Sequence, residues 1–304
     1  MDYGELGATT KRISRMGLGC MSLPDETDEA VRIVHAALDC GVTFFDTADL
    51  YGRGRNEELL GQAFHDRRNH AFIATKVGNR WTEGVDGWHW DSSKKYIFEA
   101  VHASLRRLKT EYIDLYQLHG GTMDDNIPEM IEAFQRLKEQ GLIRHYGISS
   151  MRFPVVQAFA EGGIATVQLQ YNMLDRRAEA ELLPFCLERG IGVIARGPLA
   201  NGFLTGKFSM ESNPADKDGR RNGYAGVSYP EVIRQVEQFK AAVVTPDRAL
   251  GQAAPLFALA NPAVSVVIPG ARTEQQLETN VSCFEVPSLN VTELELIHGV
   301  TTIE

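Results

Sequence analysis

Short apolar runs rich in β-branched and aromatic residues alternate along the chain with longer stretches in which apolar positions recur every three to four residues. The first pattern predicts strands buried on both faces, the second amphipathic helices. Strands are predicted at ISRMGLG (13–19), VTFFDTA (42–48), AFIATKV (71–77), IDLYQLH (113–119), IRHYGISS (143–150), TVQLQYNM (166–173), GVIARGPL (192–199) and VSVVIPGA (264–271). Helices between them include residues 28–41, 56–65, 94–110, 128–141 and 179–190, three of which end in glycine (Gly41, Gly141, Gly190), as a left-handed C-cap requires.

Eight strand–helix units closing on themselves make a (β/α)8 TIM barrel, an α/β fold in which functional groups collect at the C-terminal ends of the strands. Two segments break the rhythm, residues 78–91 and 209–226, and read as long loops at that C-terminal face. No linker, low-complexity run or repeat divides the chain, so residues 1–304 are expected to form one domain. The GRGRNE segment at 52–57 has two of the three glycines of a dinucleotide fingerprint and follows the second strand, which makes it a weak match.

Composition narrows the function classes. A net charge of −9 lacks the basic footprint that nucleic acid or an anionic membrane demands, so neither is an expected partner. Four scattered cysteines (Cys20, Cys40, Cys186, Cys283) form no C-x-x-C pair, which indicates neither a disulfide framework nor a metal site. The amino-terminal MDYGELGATTKR holds no apolar run suited to an export signal, and a cytoplasmic setting is expected. Residues 249–271 are uncharged for 23 positions, but Pro255, Asn261, Pro262 and Pro269 divide them into a buried helix, a turn and a buried strand. The sequons at Asn280 and Asn290 carry no weight in a chain that is not exported.

Ionisable residues at the ends of buried strands need a reason. Asp46 ends FFD, Tyr51 follows five residues later, Lys76 ends FIATK and His119 ends LYQLH. Each has an ordinary reading alone: a turn cap, a rim aromatic, a lysine reaching water, a packed imidazole. Together they supply a phenolic proton donor, a cation to stabilise its phenolate, a carboxylate to hold that cation and a neutral donor to orient a carbonyl. Such a set suits a reaction that makes or consumes an alkoxide. None of the four groups delivers two electrons, so carbonyl reduction would need an external hydride carrier.

With these residues in view, the sequence resembles the aldo-keto reductase superfamily over essentially its whole length. GLGCM (17–21), FFDTADLYGRGRNEELLG (44–61), ATK (74–76), SLRRLKTEYIDLYQLH (104–119), YGISS (146–150), VQLQYNMLDRR (167–177), GPLANGFLTGK (197–207) and IPGAR…Q…N (268–280) carry the match, in the family's order and spacing. The resemblance implies an N-terminal β-hairpin ahead of the barrel, a nicotinamide cofactor bound over the C-terminal mouth, and reduction of aldehydes or ketones to alcohols. It also implies Tyr51 as general acid, Lys76 and Asp46 tuning it, and His119 directing the substrate carbonyl.

By the same resemblance, Ser149 and Gln168 bond the nicotinamide carboxamide, and Ser150 stands where the family most often has Asn. Arg196 stands where better-known members stack an aromatic ring on the nicotinamide, and a planar guanidinium can stack too. Gly19, Cys20 and Met21 lie beside the ring, Cys20 as a buried inert thiol. The segment Gly197, Pro198, Leu199, Gly202, Leu204, Thr205, Gly206 and Lys207 supplies loop amides and one cation for the pyrophosphate. Ile268, Gly270 and Ala271 lead to Arg272, placed near the adenosine 2′-phosphate, with Gln276 and Asn280 facing the adenine from the last helix. The arginine argues for NADPH. Gly270 and Gln276 stand where NADPH-preferring relatives carry Lys and Arg, which keeps NADH as the alternative carrier.

Substrate selection falls to the loops: Trp81, Trp88 and Trp90 wall an apolar or aromatic pocket, and Met21, Leu50, Tyr51 and His119 line its floor. The expected partner is a small-molecule carbonyl compound. Two other readings stand beside this one. One is a barrel lyase using Lys76 as a Schiff-base nucleophile; the other is a redox-sensing regulatory subunit that holds the cofactor with little turnover.

Overall fold

A computed structural model describes residues 1–9, 11–212 and 214–302. Eight parallel strands follow one another around a ring in chain order: β3 (Leu18–Gly19), β4 (Phe44–Asp46), β5 (Phe72–Val77), β8 (Ile113–Leu118), β9 (Ile143–Ser149), β10 (Thr166–Gln170), β11 (Gly192–Arg196) and β12 (Val264–Ile268). The ring is sealed between its first and last members. Parallel bridges join Met16 to Val267 and Gly19 to Gly270, and the Val267 amide donates to Arg15 O at 3.0 Å. All eight strands fall within the apolar runs that predict them. Every residue of β5 and β8 is buried, the mark of a sheet covered on both faces.

Helices α1 (Thr27–Asp39), α2 (Arg55–Ala63), α3 (Lys94–Leu108), α4 (Ile127–Glu139), α5 (Phe153–Ala160), α6 (Leu182–Glu188), α7 (Tyr229–Val243), α8 (Leu250–Ala260), α9 (Glu274–Val281) and α10 (Val291–Gly299) surround the strands. Gly41, Gly141 and Gly190 end α1, α4 and α6 with φ of 85°, 74° and 66°, values that a side chain would oppose. Residues 249–271 resolve into α8, a turn and β12, as their prolines predict. Because α10 follows α9, the helix carrying Gln276 and Asn280 is not the last, contrary to expectation.

The N-terminal hairpin pairs β1 (Tyr3–Glu5) with β2 (Arg12–Ser14). Leu6 and Ile13 belong to a cluster with Phe44, Phe72, Ala74, Leu115, Ile194 and Val266, so the hairpin plugs the N-terminal end of the barrel. Side chains two residues further along the same strands share the inner face. Asp46 therefore follows Phe44 into the barrel, Lys76 follows Ala74, Gln117 follows Leu115, and Gln168 follows Thr166. The interior is apolar at one end and polar at the other, and the polar end is the C-terminal mouth.

Both long loops leave that mouth. Residues 78–91 are more ordered than a plain loop, because β6 (Asn79–Arg80) and β7 (His89–Trp90) pair as a short antiparallel hairpin. The described residues of 209–226 include a 3-10 turn, Gly219–Asn222.

Candidate active site

Asp46, Tyr51, Lys76 and His119 come from three neighbouring strands and converge. Lys76 Nζ donates to Asp46 Oδ1 at 2.7 Å, to Thr47 O at 2.7 Å and to Tyr51 Oη at 3.4 Å, which occupies all three of its protons. The Tyr51 and His119 rings meet edge to face with centroids 5.9 Å apart. Tyr51 opens a tight turn, Tyr51–Gly54, in which Gly52 and Gly54 have φ of 57° and 87°, and its phenol meets the Lys76 ammonium near the end of β5. His119 follows β8 directly, its amide donating to Val77 O at 2.8 Å and its carbonyl accepting from Asn79 Nδ2.

Burial acts on each charge. It pulls the Lys76 ammonium down, but the facing Asp46 and Tyr51 oxygens more than offset it and hold Lys76 above its ordinary value. Burial pushes the Asp46 carboxyl up, against the opposing pull of Lys76, Gln168 and Arg196. His119 is driven down to about 3 by burial and by the cations Lys76 and Arg196, so its imidazole is neutral at physiological pH. Its Nδ1 is buried without a hydrogen-bond partner among the described residues.

Gln168, on β10, donates from Nε2 to Asp46 Oδ2 at 2.9 Å, while its Oε1 is buried and unpaired among the described residues. Ser149 sits beside it in register on β9, and the Ser150 amide donates to Gln168 O. Gly19 is in register with Asp46, and Cys20 is fully buried behind it, its thiol pushed up by burial and donating to Leu18 O. Met21 emerges at the rim, 67% exposed. Arg196 ends β11 in the open and donates to Gln170 Oε1 at 2.6 Å.

The segment after β11 departs from the expected row of free amides. Gly197, Pro198 and Leu199 lead into a 3-10 turn, Ala200–Thr205, with Asn201 and Gly202 at φ of 55° and 92°. The Gly202 amide donates to Leu199 O and the Gly206 amide to Phe203 O, the i to i+3 bonds that a turn of this kind closes, and the Leu204 amide reaches Leu199 O as well. The Lys207 amide meets Thr205 Oγ1, leaving its exposed ammonium as the free donor there. Sequence reasoning missed a second cation: Arg220 stacks over Phe208 at 4.6 Å, and its Nη1 lies 3.5 Å from where a Cβ on Gly202 would stand. Only the folding of the 209–226 loop brings it there.

Ile268 ends β12 in register with Arg196, and Ala271 is buried. At Gly270 a Cβ would stand 2.3 Å from Ser22 Oγ, so this position holds no side chain without displacing Ser22. The Arg272 guanidinium is exposed and pairs with nothing among the described residues, while its amide donates to Gln276 Oε1 at 2.8 Å. Asn280 Nδ2 donates to Gly270 O at 3.2 Å. Gln276 and Asn280 thus brace the Gly270–Arg272 backbone against α9.

Met21, Leu50 and Tyr51 do come together, lining a cavity of about 270 Å³ with Leu23, Arg55 and Leu59. The three tryptophans do not gather around it. Trp81 Nε1 donates to Asp49 O at 3.0 Å, and Trp88 stands 56% exposed at the rim. Trp90 Nε1 donates to Asp125 Oδ1 at 2.7 Å, and its ring lies over two glycines: a Cβ would stand 2.5 Å from it at Gly78 and 3.3 Å at Gly120. Trp90 is therefore a wedge between the residues that follow Lys76 and His119, and Trp88 stands exposed at the rim.

The model of the aldo/keto reductase family matches residues 15–301. The chain is 45% identical over 298 residues to the uncharacterized oxidoreductase YqkF of Bacillus subtilis (strain 168), covering 98% of this chain and 95% of that one. Among solved structures, the holo form of aldo-keto reductase AKR11C1 from Bacillus halodurans matches with a TM-score of 0.89 at 41% identity, covering 100% of this chain and 98% of that one. The glycerol dehydrogenase AKR11B4 from Gluconobacter oxydans matches with a TM-score of 0.89 at 29% identity, covering 98% and 94%.

Proposed function

Because the chain belongs to the aldo/keto reductase family of nicotinamide-dependent oxidoreductases, we propose that it reduces aldehydes or ketones to alcohols with NADPH, Tyr51 acting as general acid. The observation that carries this reading is the contact of one buried ammonium, Lys76, with both Asp46 and Tyr51, beside a neutral His119.

When bound, the reduced nicotinamide supplies the hydride. The chain's own residues do the rest. Tyr51 gives its proton to the carbonyl oxygen, and the Lys76 ammonium faces the phenolic oxygen as negative charge develops there. Asp46 keeps Lys76 charged in a dry setting. His119, neutral, offers a hydrogen bond that fixes where the carbonyl oxygen sits.

The residues present fit the cofactor. Gln168 Oε1 is a buried acceptor without a donor, which suits the amide of a carboxamide. Ser149 stands beside it, and the exposed Arg196, held by Gln170 Oε1, presents its guanidinium plane at the mouth for the ring to lie against. Gly19, Cys20 and Met21 form the opposite edge of the mouth. Lys207 supplies charge for the pyrophosphate, Arg220, paired with Asp218, offers it the Nη1 donor that faces Gly202, and the unpaired Arg272 supplies charge for a 2′-phosphate, which favours NADPH over NADH.

The test is the loss of reduced-nicotinamide absorbance against a panel of carbonyl compounds, with NADPH and NADH run in parallel. Turnover with NADPH supports the reading. Tight NADPH binding with no turnover on any carbonyl would overturn it in favour of a cofactor-holding regulatory subunit.

A further inference from the structure

We propose that Gln168 is a positioning residue of the proton-donating centre: its amide nitrogen holds the second oxygen of Asp46 across the barrel, and through Asp46 it aims Lys76 at Tyr51. The proposal rests on Tyr51 as the acid, and it concerns the half of the Gln168 amide that a cofactor would not use.

The contact crosses the inside of the ring. Asp46 is on β4 and Gln168 on β10, 122 residues later and four strands around, yet Nε2 lies 2.9 Å from Oδ2. Gln168, Asp46 and Lys76 are 1%, 3% and 1% exposed, so water does not compete for these bonds. A carboxylate only accepts, so the NH2 end of the amide must face Asp46 and the carbonyl end must face away. That orientation leaves Oε1 buried and without a donor.

The bond matters because of how Lys76 is held. Its two short contacts, to Asp46 Oδ1 and Thr47 O at 2.7 Å each, are the anchors, and the Tyr51 contact at 3.4 Å is the one they direct. Thr47 O is fixed by the backbone. Asp46 is a side chain free to turn about two torsions unless its other oxygen is tied, and Gln168 is what ties it. Asp46 bonds outward on one oxygen to the cation and on the other to the amide, so both of its torsions are set. Without Gln168 the carboxylate rotates, and the lysine anchored to it moves relative to the phenol.

The bond also has a charge consequence. The titratable or charged groups facing Asp46 are Lys76 from β5, Arg196 from the end of β11 and the Cys20 thiol from the turn after β3. Burial pushes the carboxyl up, and Lys76, Gln168 and Arg196 oppose it. A hydrogen bond to the ionised form favours that form, so removing Gln168 lets Asp46 take a proton at higher pH, and Lys76 then loses its counter-ion.

The test uses the full chain without cofactor, with Asp46 followed by carbon-13 carboxyl resonance through a pH titration. Gln168→Met, similar in volume and without a donor, is expected to raise the Asp46 midpoint, its proton affinity increasing about tenfold. Gln168→Glu is expected to raise it further, because two carboxyls then share one proton. In the unaltered protein the Gln168 side-chain amide protons are expected to shift with the Asp46 midpoint, an observation that needs no variant to fold. In turnover at saturating cofactor, the acid limb of kcat/KM is expected to move up with Gln168→Met, separately from any rise in cofactor KM. An unmoved Asp46 midpoint in the variants, or Gln168 amide protons indifferent to Asp46 titration, would overturn the proposal and leave Gln168 a cofactor contact alone. Absence of any reductase activity would instead strike the function proposed above, and the titration would still decide the Gln168–Asp46 coupling.

Discussion

Lys76 and Asp46 meet at 2.7 Å with 1% and 5% of their side chains exposed, so neither charge can turn to water if the other is removed. Truncating one partner of a buried pair leaves an uncompensated ion and typically costs about 3–5 kcal/mol. Asp46→Ala is expected to lower unfolding free energy by about that amount. The double variant Asp46→Leu, Lys76→Met is expected to be more stable than Asp46→Ala, since apolar replacement of both partners removes the buried charge. Urea unfolding of the two variants beside the unaltered protein measures this; a double variant no more stable than Asp46→Ala would deny the coupling.

Tyr51→Phe keeps the ring against His119 and removes the hydroxyl, with its proton and its contact to Lys76. A positioned general acid contributes about 10²–10⁴-fold, so kcat is expected to fall by that factor. NADPH affinity, read by fluorescence titration, is expected to stay within about threefold, because binding groups are untouched. A variant that turns over at the unaltered rate would remove Tyr51 from the acid role.

His119 is held down to about 3 by burial and by two nearby cations, so it is already neutral well below physiological pH. Its protonation therefore adds no limb to the rate profile between about pH 5 and pH 8, where an unperturbed imidazole would titrate. His119→Asn, which stays neutral throughout, is expected to lower kcat/KM by a constant factor across that range. A profile whose shape changed with this substitution would show the imidazole titrating there.

Arg272 carries an exposed guanidinium without an ion-pair partner among the described residues. Arg272→Ala is expected to raise KM for NADPH by about tenfold, in the range of a lost charge-assisted hydrogen bond, with little change for NADH. Steady-state kinetics with both cofactors check it, and equal changes for the two would detach Arg272 from the 2′-phosphate.

Trp88 and Trp90 lie two residues apart and are expected to behave oppositely. Trp90 wedges over Gly78 and Gly120 and bonds Asp125, so Trp90→Ala is expected to destabilise by about 3 kcal/mol, as large aromatic truncations do. Trp88 stands 56% exposed, and Trp88→Ala is expected to leave stability within about 0.5 kcal/mol while changing KM for bulky carbonyl substrates. Thermal melts and kinetics on the two variants separate them.

What the sequence makes legible follows burial. Strands enclosed on both faces must be mainly apolar, so β4, β5, β8 and β12 stand out as runs, and an ionisable residue at the end of such a run, Asp46 or Lys76, is conspicuous by contrast. Helices α1 to α4 declare themselves by one apolar face. The hairpin of β6 and β7 was illegible because two-residue strands have no period to detect. The closed amides of the Gly202 turn depend on a positive φ at Asn201, which composition does not specify. Arg220 and the Gln168–Asp46 bond are contacts of the finished ring, between residues that share no local pattern.

The seal between Arg15–Gly19 and Val267–Gly270 joins the start of the chain to a segment made some 250 residues later. Until that segment emerges from the ribosome, the growing sheet carries two raw edges, each a template for pairing with a neighbouring nascent chain. A protein shortened before Val264 would keep both edges permanently, and its fate would be aggregation instead of a smaller working enzyme.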